Sequence, residues 1–163
     1  MDKNKAPKST SDIENDHLNK EKMICNLNKI EKFINTYNKS DGIFSFPDDF
    51  KNLALNDSEF LEEYIKDPGF ATYWCCGKDK DHDWILYFDL DWYEYWIGNL
   101  LNKYGNIEYI PFAKKYDATN LACFLLDNRN NTKIIEINPF WPYKPDVKHI
   151  DNDFKTWLEN ISI

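Results

Sequence analysis

The chain has 163 residues and a formal net charge of −8, and 17% of its residues are aromatic. A chain of this length is predicted to form one domain with a real hydrophobic core. Its five glycines argue against a glycine-rich phosphate-binding loop. No apolar run approaches the ~18 residues that a transmembrane helix needs, and no apolar segment follows the first lysines as it would in a secretory signal. We therefore expect a cytoplasmic protein that does not bind membranes.

The first part of the chain is predicted to be helical after a polar tail. Residues 1–16 have the composition of a disordered tail, and the domain is expected to span residues 17–163. Apolar residues at three- and four-residue spacing predict a first helix over residues 16–37. Phe46-Pro47 opens a short second helix, because proline is well tolerated in a first turn. Residues 58–66 read as a third helix.

The middle of the chain is predicted to form two aromatic strands followed by a helix. The strands cover residues 70–76 and 84–90 and flank a charged loop. Asp91 and Glu94 have the spacing of an N-cap residue and its N3 partner, which predicts a helix that starts there and ends near Tyr104. Helical spacing predicts that the core-facing stripe of this helix is Trp92, Tyr95, Trp96 and Leu100, and that Tyr93 and Glu94 are exposed.

The second half is predicted to be richer in strands. Strands are expected over residues 107–112, 120–127 and 132–137, and a last helix over residues 152–161. Residues 121–126 are continuously apolar, which predicts a central strand covered on both faces. The whole pattern predicts an α+β domain, in which a mainly antiparallel mixed sheet packs with N-terminal helices and a C-terminal helix.

The negative charge is concentrated in one part of the chain. Residues 41–94 contain fourteen Asp and Glu against four Lys, a net charge of −10, and many of the Trp and Tyr residues. Acidic residues mixed with Trp and Tyr are typical of a surface that binds a basic protein. Such a surface repels free nucleic acid, which is bound by cations. The alternative is that these charges only solubilise the outer faces of helices and strands.

Three segments resemble motifs of the SUKH superfamily. Residues 109–127 contain a Pro-Phe-Ala strand, a short turn and a second apolar strand that ends in Asp, as in the core of that family. Residues 46–50 (FPDDF) are similar to its opening motif, and residues 153–158 (DFKTWL) are similar to its closing helix. The resemblance spans roughly residues 30–161 and implies a SUKH-like fold.

The resemblance also implies a function. SUKH domains are best known as immunity proteins of bacterial polymorphic and contact-dependent toxins, which bind and block a cognate toxin, often a nuclease. The same fold occurs in a yeast cell-wall-synthesis regulator that acts through protein contacts. No catalytic residues accompany the fold. The chain is therefore expected to bind a basic toxin domain stoichiometrically, with no cofactor and no enzymatic activity.

Two segments are the predicted contacts for such a partner. The first consists of the acidic loop before the second aromatic strand and of the helix after that strand. The second is the loop after residue 138, in which three prolines would hold aromatic rings ready at low entropic cost. The predicted partner-binding residues are Asp79, Asp81, Asp83 and Glu94 in the first segment and Phe140, Trp141 and Tyr143 in the second.

Other functions find less support in the sequence. Asp79, Asp81 and Asp83 form the start of a calcium loop, but Trp84 and Leu90 stand where the loop needs Gly and Glu, so no metal site is predicted. No nucleotide-binding or hydrolase motif is present. Two alternatives remain open: a regulatory scaffold of the cell-wall-regulator type that binds endogenous partners, and a small enzyme.

Overall fold

Helices dominate the first half of the chain and strands the second half. The computed structural model describes residues 10–38, 43–69, 71–75, 84–105, 107–116, 118–126, 133–139 and 146–162. In these ranges the elements are, in chain order, α1 (Thr10–Tyr37), α2 (Asp48–Leu55), α3 (Ser58–Lys66), β1 (Tyr73–Cys75), β2 (Trp84–Leu86), α4 (Leu90–Tyr104), β3 (Tyr109–Lys115), β4 (Leu121–Leu125), β5 (Ile134–Asn138), β6 (Asp146–Asp151) and α5 (Phe154–Ser162).

The strands form one antiparallel sheet in which each strand pairs with its neighbours in sequence. The order is β1-β2-β3-β4-β5-β6, and α4 interrupts the meander between β2 and β3. In the centre of the sheet, Cys123 of β4 lies opposite Pro111 of β3 and Ile135 of β5. The register shifts after Pro111, which has no N–H to donate to a neighbouring strand. The predicted α+β class, in which an antiparallel sheet packs with N-terminal helices and a C-terminal helix, is confirmed.

Several element boundaries differ from those predicted. Helix α1 begins at Thr10, so residues 10–16 of the predicted tail are helical, and Asp16 accepts a hydrogen bond from Ser58 at the start of α3 at 3.4 Å. Strand β2 has three residues instead of the predicted seven. The carbonyl of Phe88 accepts hydrogen bonds from the side chains of Asn26 and Tyr64, so it does not pair with a neighbouring strand. Strand β6 was not predicted, because only two of its six residues are apolar and three are charged, as is common at a sheet edge.

The main core is a cluster of aromatic rings centred on Phe50 of α2. This ring is fully buried, and its centroid lies 4.8 to 5.6 Å from five other ring centroids. These rings belong to segments spread along the whole chain: Phe46, Phe88, Phe112, Phe124 and Phe154. The cluster therefore joins the N-terminal helices, the sheet and α5 into one core.

Strand β4 contributes to both faces of the sheet. Ala122 and Phe124 belong to the main core, whereas Leu121 and Cys123 belong to a second buried cluster with residues of β5. Trp92 and Trp96 of α4 pack against this second cluster. The prediction that residues 121–126 form a central strand covered on both faces is confirmed.

Candidate partner-binding surface

Of the seven predicted contact residues, the structure describes one. Glu94 is exposed on α4. The other six lie outside the described residues: Asp79, Asp81, Asp83, Phe140, Trp141 and Tyr143. Pro139 is the first residue of the second predicted segment, and its carbonyl accepts hydrogen bonds from Tyr104 Oη at 2.9 Å and from Lys103 Nζ at 2.6 Å. The start of that segment therefore lies at the C-terminal end of the helix that carries Glu94.

The turn that leads into α4 is held by side chains from three helices. Tyr64 of α3 donates its hydroxyl hydrogen to the carbonyl of Phe88 at 2.9 Å. Asn26 of α1 donates to the same carbonyl through Nδ2. Tyr93 of α4 donates its hydroxyl hydrogen to the carbonyl of Tyr87 at 2.8 Å. The first turn of α4 is therefore fixed in place before any partner arrives, which lowers the entropic cost of binding.

Three carboxylates occupy this first turn and the next. Asp89 is the N-cap residue of α4. Burial raises the pKa of the Asp89 carboxyl, the negative charges of Asp91 and Glu94 raise it further, and the backbone amides of Asp91 and Trp92 oppose this rise. The ion pairs found among the described residues join other side chains. This end of α4 therefore carries negative charge that no cation of the described part of the chain balances.

A row of aromatic rings runs beside these carboxylates. The rings of Tyr87 and Trp92 are stacked, with centroids 4.3 Å apart and an interplanar angle of 5°. Trp96 follows at 6.3 Å from Trp92, and Tyr95 meets the edge of Trp96 at 5.4 Å. Tyr95 is 62% exposed, and the other three side chains are half-buried. We refer to Asp89, Asp91 and Glu94, together with Tyr87, Trp92, Tyr95 and Trp96, as the α4 face.

The predicted orientation of α4 was wrong in two respects. Tyr93, which was predicted to be exposed, is fully buried, and Tyr95, which was predicted to face the core, is largely exposed. The buried stripe is Tyr93, Ile97 and Leu100, at spacings of four and three. Helical periodicity fits both stripes. The hydrogen bond from Tyr93 to Tyr87 and the contact of its ring with that of Phe46, at 5.6 Å, favour the observed one.

The predicted capping box was also wrong. The N-cap residue is Asp89, two residues before the predicted Asp91, and the helix begins at Leu90. The turn explains this shift, because the side-chain hydrogen bonds to the carbonyls of Tyr87 and Phe88 end the extended segment early. Glu94 therefore lies in the second turn of α4 and remains exposed, as predicted.

The chemistry that this surface offers is recognition of a cation. Its carboxylates accept charge-assisted hydrogen bonds from Lys or Arg, and the faces of Trp and Tyr rings attract the same groups.

Within the described part of the chain, no three His, Cys, Asp or Glu side chains are placed to hold a metal ion. No helix among those described is both long and apolar enough to cross a membrane.

Comparisons with known proteins do not identify a relative. Neither the models of protein families nor the curated proteins nor the solved structures gave a match to this chain.

The hydrogen bond of Tyr93 gives a direct test of how the turn is held. Tyr93→Phe removes only the hydroxyl group and leaves the partly buried carbonyl of Tyr87 without this donor. We expect the free energy of unfolding to fall by about 1–2 kcal/mol. Urea denaturation measures this. Tyr95→Phe is the matched control, because its hydroxyl is on a largely exposed ring; equal effects of the two substitutions would contradict the assignment.

The raised pKa of Asp89 predicts how stability depends on pH. The folded carboxyl holds its proton more tightly than the unfolded one, so stability falls as the pH rises from the ordinary value of 3.8 through the raised pKa. Asp89→Asn removes this loss. We expect the variant to match the wild type in free energy of unfolding at about pH 3 and to exceed it at about pH 7.

The control for this experiment is Asp153, whose carboxyl accepts a hydrogen bond from the amide of Thr156 at 2.8 Å. Hydrogen bonding to Thr156 lowers the pKa of Asp153, so its contribution to stability is present above pH 3.8 and is lost as the pH falls through the lowered pKa. Asp153→Asn should therefore destabilise the protein at neutral pH. If Asp89→Asn had the same sign as Asp153→Asn, the environment assigned to Asp89 would be incorrect.

Proposed function

We propose that this chain is a SUKH-type immunity protein, which binds a cognate basic toxin domain one-to-one through the α4 face and blocks it. One observation carries this proposal. Three carboxylates that no described cation balances lie beside a row of partly exposed aromatic rings on a turn that is already rigid. The resemblance of three sequence segments to SUKH motifs supplies the class of partner.

Charge and aromatic contacts have different roles in this proposal. Carboxylates at the edge of an interface mainly steer a basic partner toward it and raise the association rate. Exposed Tyr and partly exposed Trp side chains supply large contact areas and hold the complex once it has formed. A Lys or Arg side chain between Asp89 and Asp91 would also relieve the repulsion between these carboxylates, and this relief favours the bound state.

A rescue assay tests the proposal. The C-terminal domain encoded immediately upstream of this chain would be expressed in a test bacterium with and without this chain, and the two would then be purified together. We expect toxicity alone, growth on co-expression and a stable one-to-one complex. Toxicity without rescue or binding would overturn the immunity proposal and favour the regulatory scaffold.

Reversing two charges of the α4 face should slow association. Asp91→Lys combined with Glu94→Lys changes the charge by +4 at two exposed positions. We expect the association rate constant with an inactive toxin domain to fall by at least about tenfold at low salt, and by less at high salt. Stopped-flow fluorescence measures this rate. Glu62→Lys with Glu63→Lys on α3 makes the same charge change away from the α4 face; equal slowing by both pairs would contradict the assignment.

A further inference from the structure

A groove on another part of the molecule separates α2 from α5. Its volume is about 850 Å³. It is lined by residues of α2 at helical spacing and by residues of α5, which lies about a hundred residues later in the chain. Tyr73 of β1 and the start of α3 also line it. The lining residues are Asp49, Asn52, Leu53, Asn56, Asp57, Ser58, Glu59, Tyr73, Lys155 and Leu158.

The groove combines an apolar strip with an acidic wall. Leu53, Tyr73 and Leu158 are each only partly buried against the main core, so they offer contact area to a partner. Asp49 is exposed in the first turn of α2. Asp57 is held in position, because its carboxylate accepts a hydrogen bond from the amide of Phe60 at 3.0 Å. A ligand that has an apolar side and a positively charged side therefore matches the groove.

The shape of the groove narrows the class of occupant. Its volume is in the range of pockets that enclose several side chains. Two helices, α2 and α5, line the groove, as in the grooves that receive amphipathic helical segments. Anionic ligands are disfavoured, because three of the lining side chains are carboxylates and one, Lys155, is a cation. A Lys or Arg side chain suits the groove, because its aliphatic stem covers apolar surface while its charged end reaches the rim.

We propose that this groove is a second docking site, which binds a basic amphipathic segment of a partner protein. Leu53, Tyr73 and Leu158 contact the apolar side of that segment, and the carboxylates of Asp49 and Glu59 contact its cations. The site shares no residue with the α4 face, so the proposal goes beyond the proposed function and does not depend on it.

The test uses the full chain labelled with nitrogen-15 and a short, capped, amphipathic peptide of leucine and lysine as the probe. We expect saturable changes in the amide chemical shifts of Leu53, Tyr73 and Leu158. The same peptide with glutamate in place of lysine should give none. Changes that do not saturate, or that fall outside the groove, would overturn the proposal.

Charge-reversal variants separate specific docking from general attraction to an acidic protein. Asp49→Lys with Glu59→Lys should weaken binding of the peptide by at least about tenfold at low salt, whereas Glu62→Lys with Glu63→Lys should change it by less than about twofold. Equal weakening by the two pairs would overturn the proposal. The peptide assay contains no toxin domain, so failure of the groove and failure of the α4 face can be told apart.

Discussion

Replacing Phe50 with alanine is expected to lower the free energy of unfolding by about 4 kcal/mol. The Phe50 ring is fully buried and contacts five other rings, which come from the segment before α2, the turn before α4, β3, β4 and α5. Because these rings come from segments that are far apart in sequence, they cannot all move inward to fill the space. The substitution therefore leaves a cavity in addition to the lost transfer energy.

Urea denaturation of Phe50→Ala and of Tyr95→Ala makes this comparison. Tyr95 is 62% exposed, and its removal should change the free energy of unfolding by less than about 0.5 kcal/mol. A loss below about 2 kcal/mol for Phe50→Ala would mean that the core is not centred on this ring, because full truncation of buried aromatic side chains costs more than that.

Under the proposed function, Tyr95→Ala is also expected to weaken binding of the toxin domain about thirtyfold, or about 2 kcal/mol. Tyr95 is the most exposed ring of the α4 face, and it meets the edge of Trp96 at 5.4 Å. It can therefore contribute contact area to a partner at little cost to folding. The effect should appear mainly in the dissociation rate, because aromatic contacts form after the charges have brought the partners together.

Surface plasmon resonance with an inactive toxin domain measures both rates. Tyr37→Ala is the control, since Tyr37 is another exposed tyrosine, 42% accessible, at the end of α1 and outside the α4 face. We expect the control to bind as the wild type does. An unchanged dissociation rate for Tyr95→Ala would remove this ring from the interface.

The sequence predicted best those elements whose signals are local. The bounds of α3 matched at both ends, because Asp57 caps the helix and the amphipathic spacing ends at Lys66. The continuous apolar run of β4 predicted a strand buried on both faces, because a central strand that is covered on both sides places all of its side chains in apolar surroundings.

The predictions that failed depended on contacts distant in sequence. The orientation of α4 follows from the bond between Tyr93 and Tyr87 and from the contact with Phe46, and helical periodicity alone fits two stripes equally well. The start of α4 depends on Tyr64 and Asn26, which lie on other helices. The groove is built from α2 and α5, and no pattern in one part of the chain indicates it.

Hydrogen–deuterium exchange in the free protein and in the complex shows where the toxin domain binds. The amides of Leu90, Asp91 and Trp92 open α4, and their exchange in the free protein is the reference. If the toxin domain binds the α4 face, their exchange should slow markedly in the complex, while exchange in α5 stays the same. A complex in which these amides exchange as fast as in the free protein, with protection elsewhere, would contradict the proposed surface.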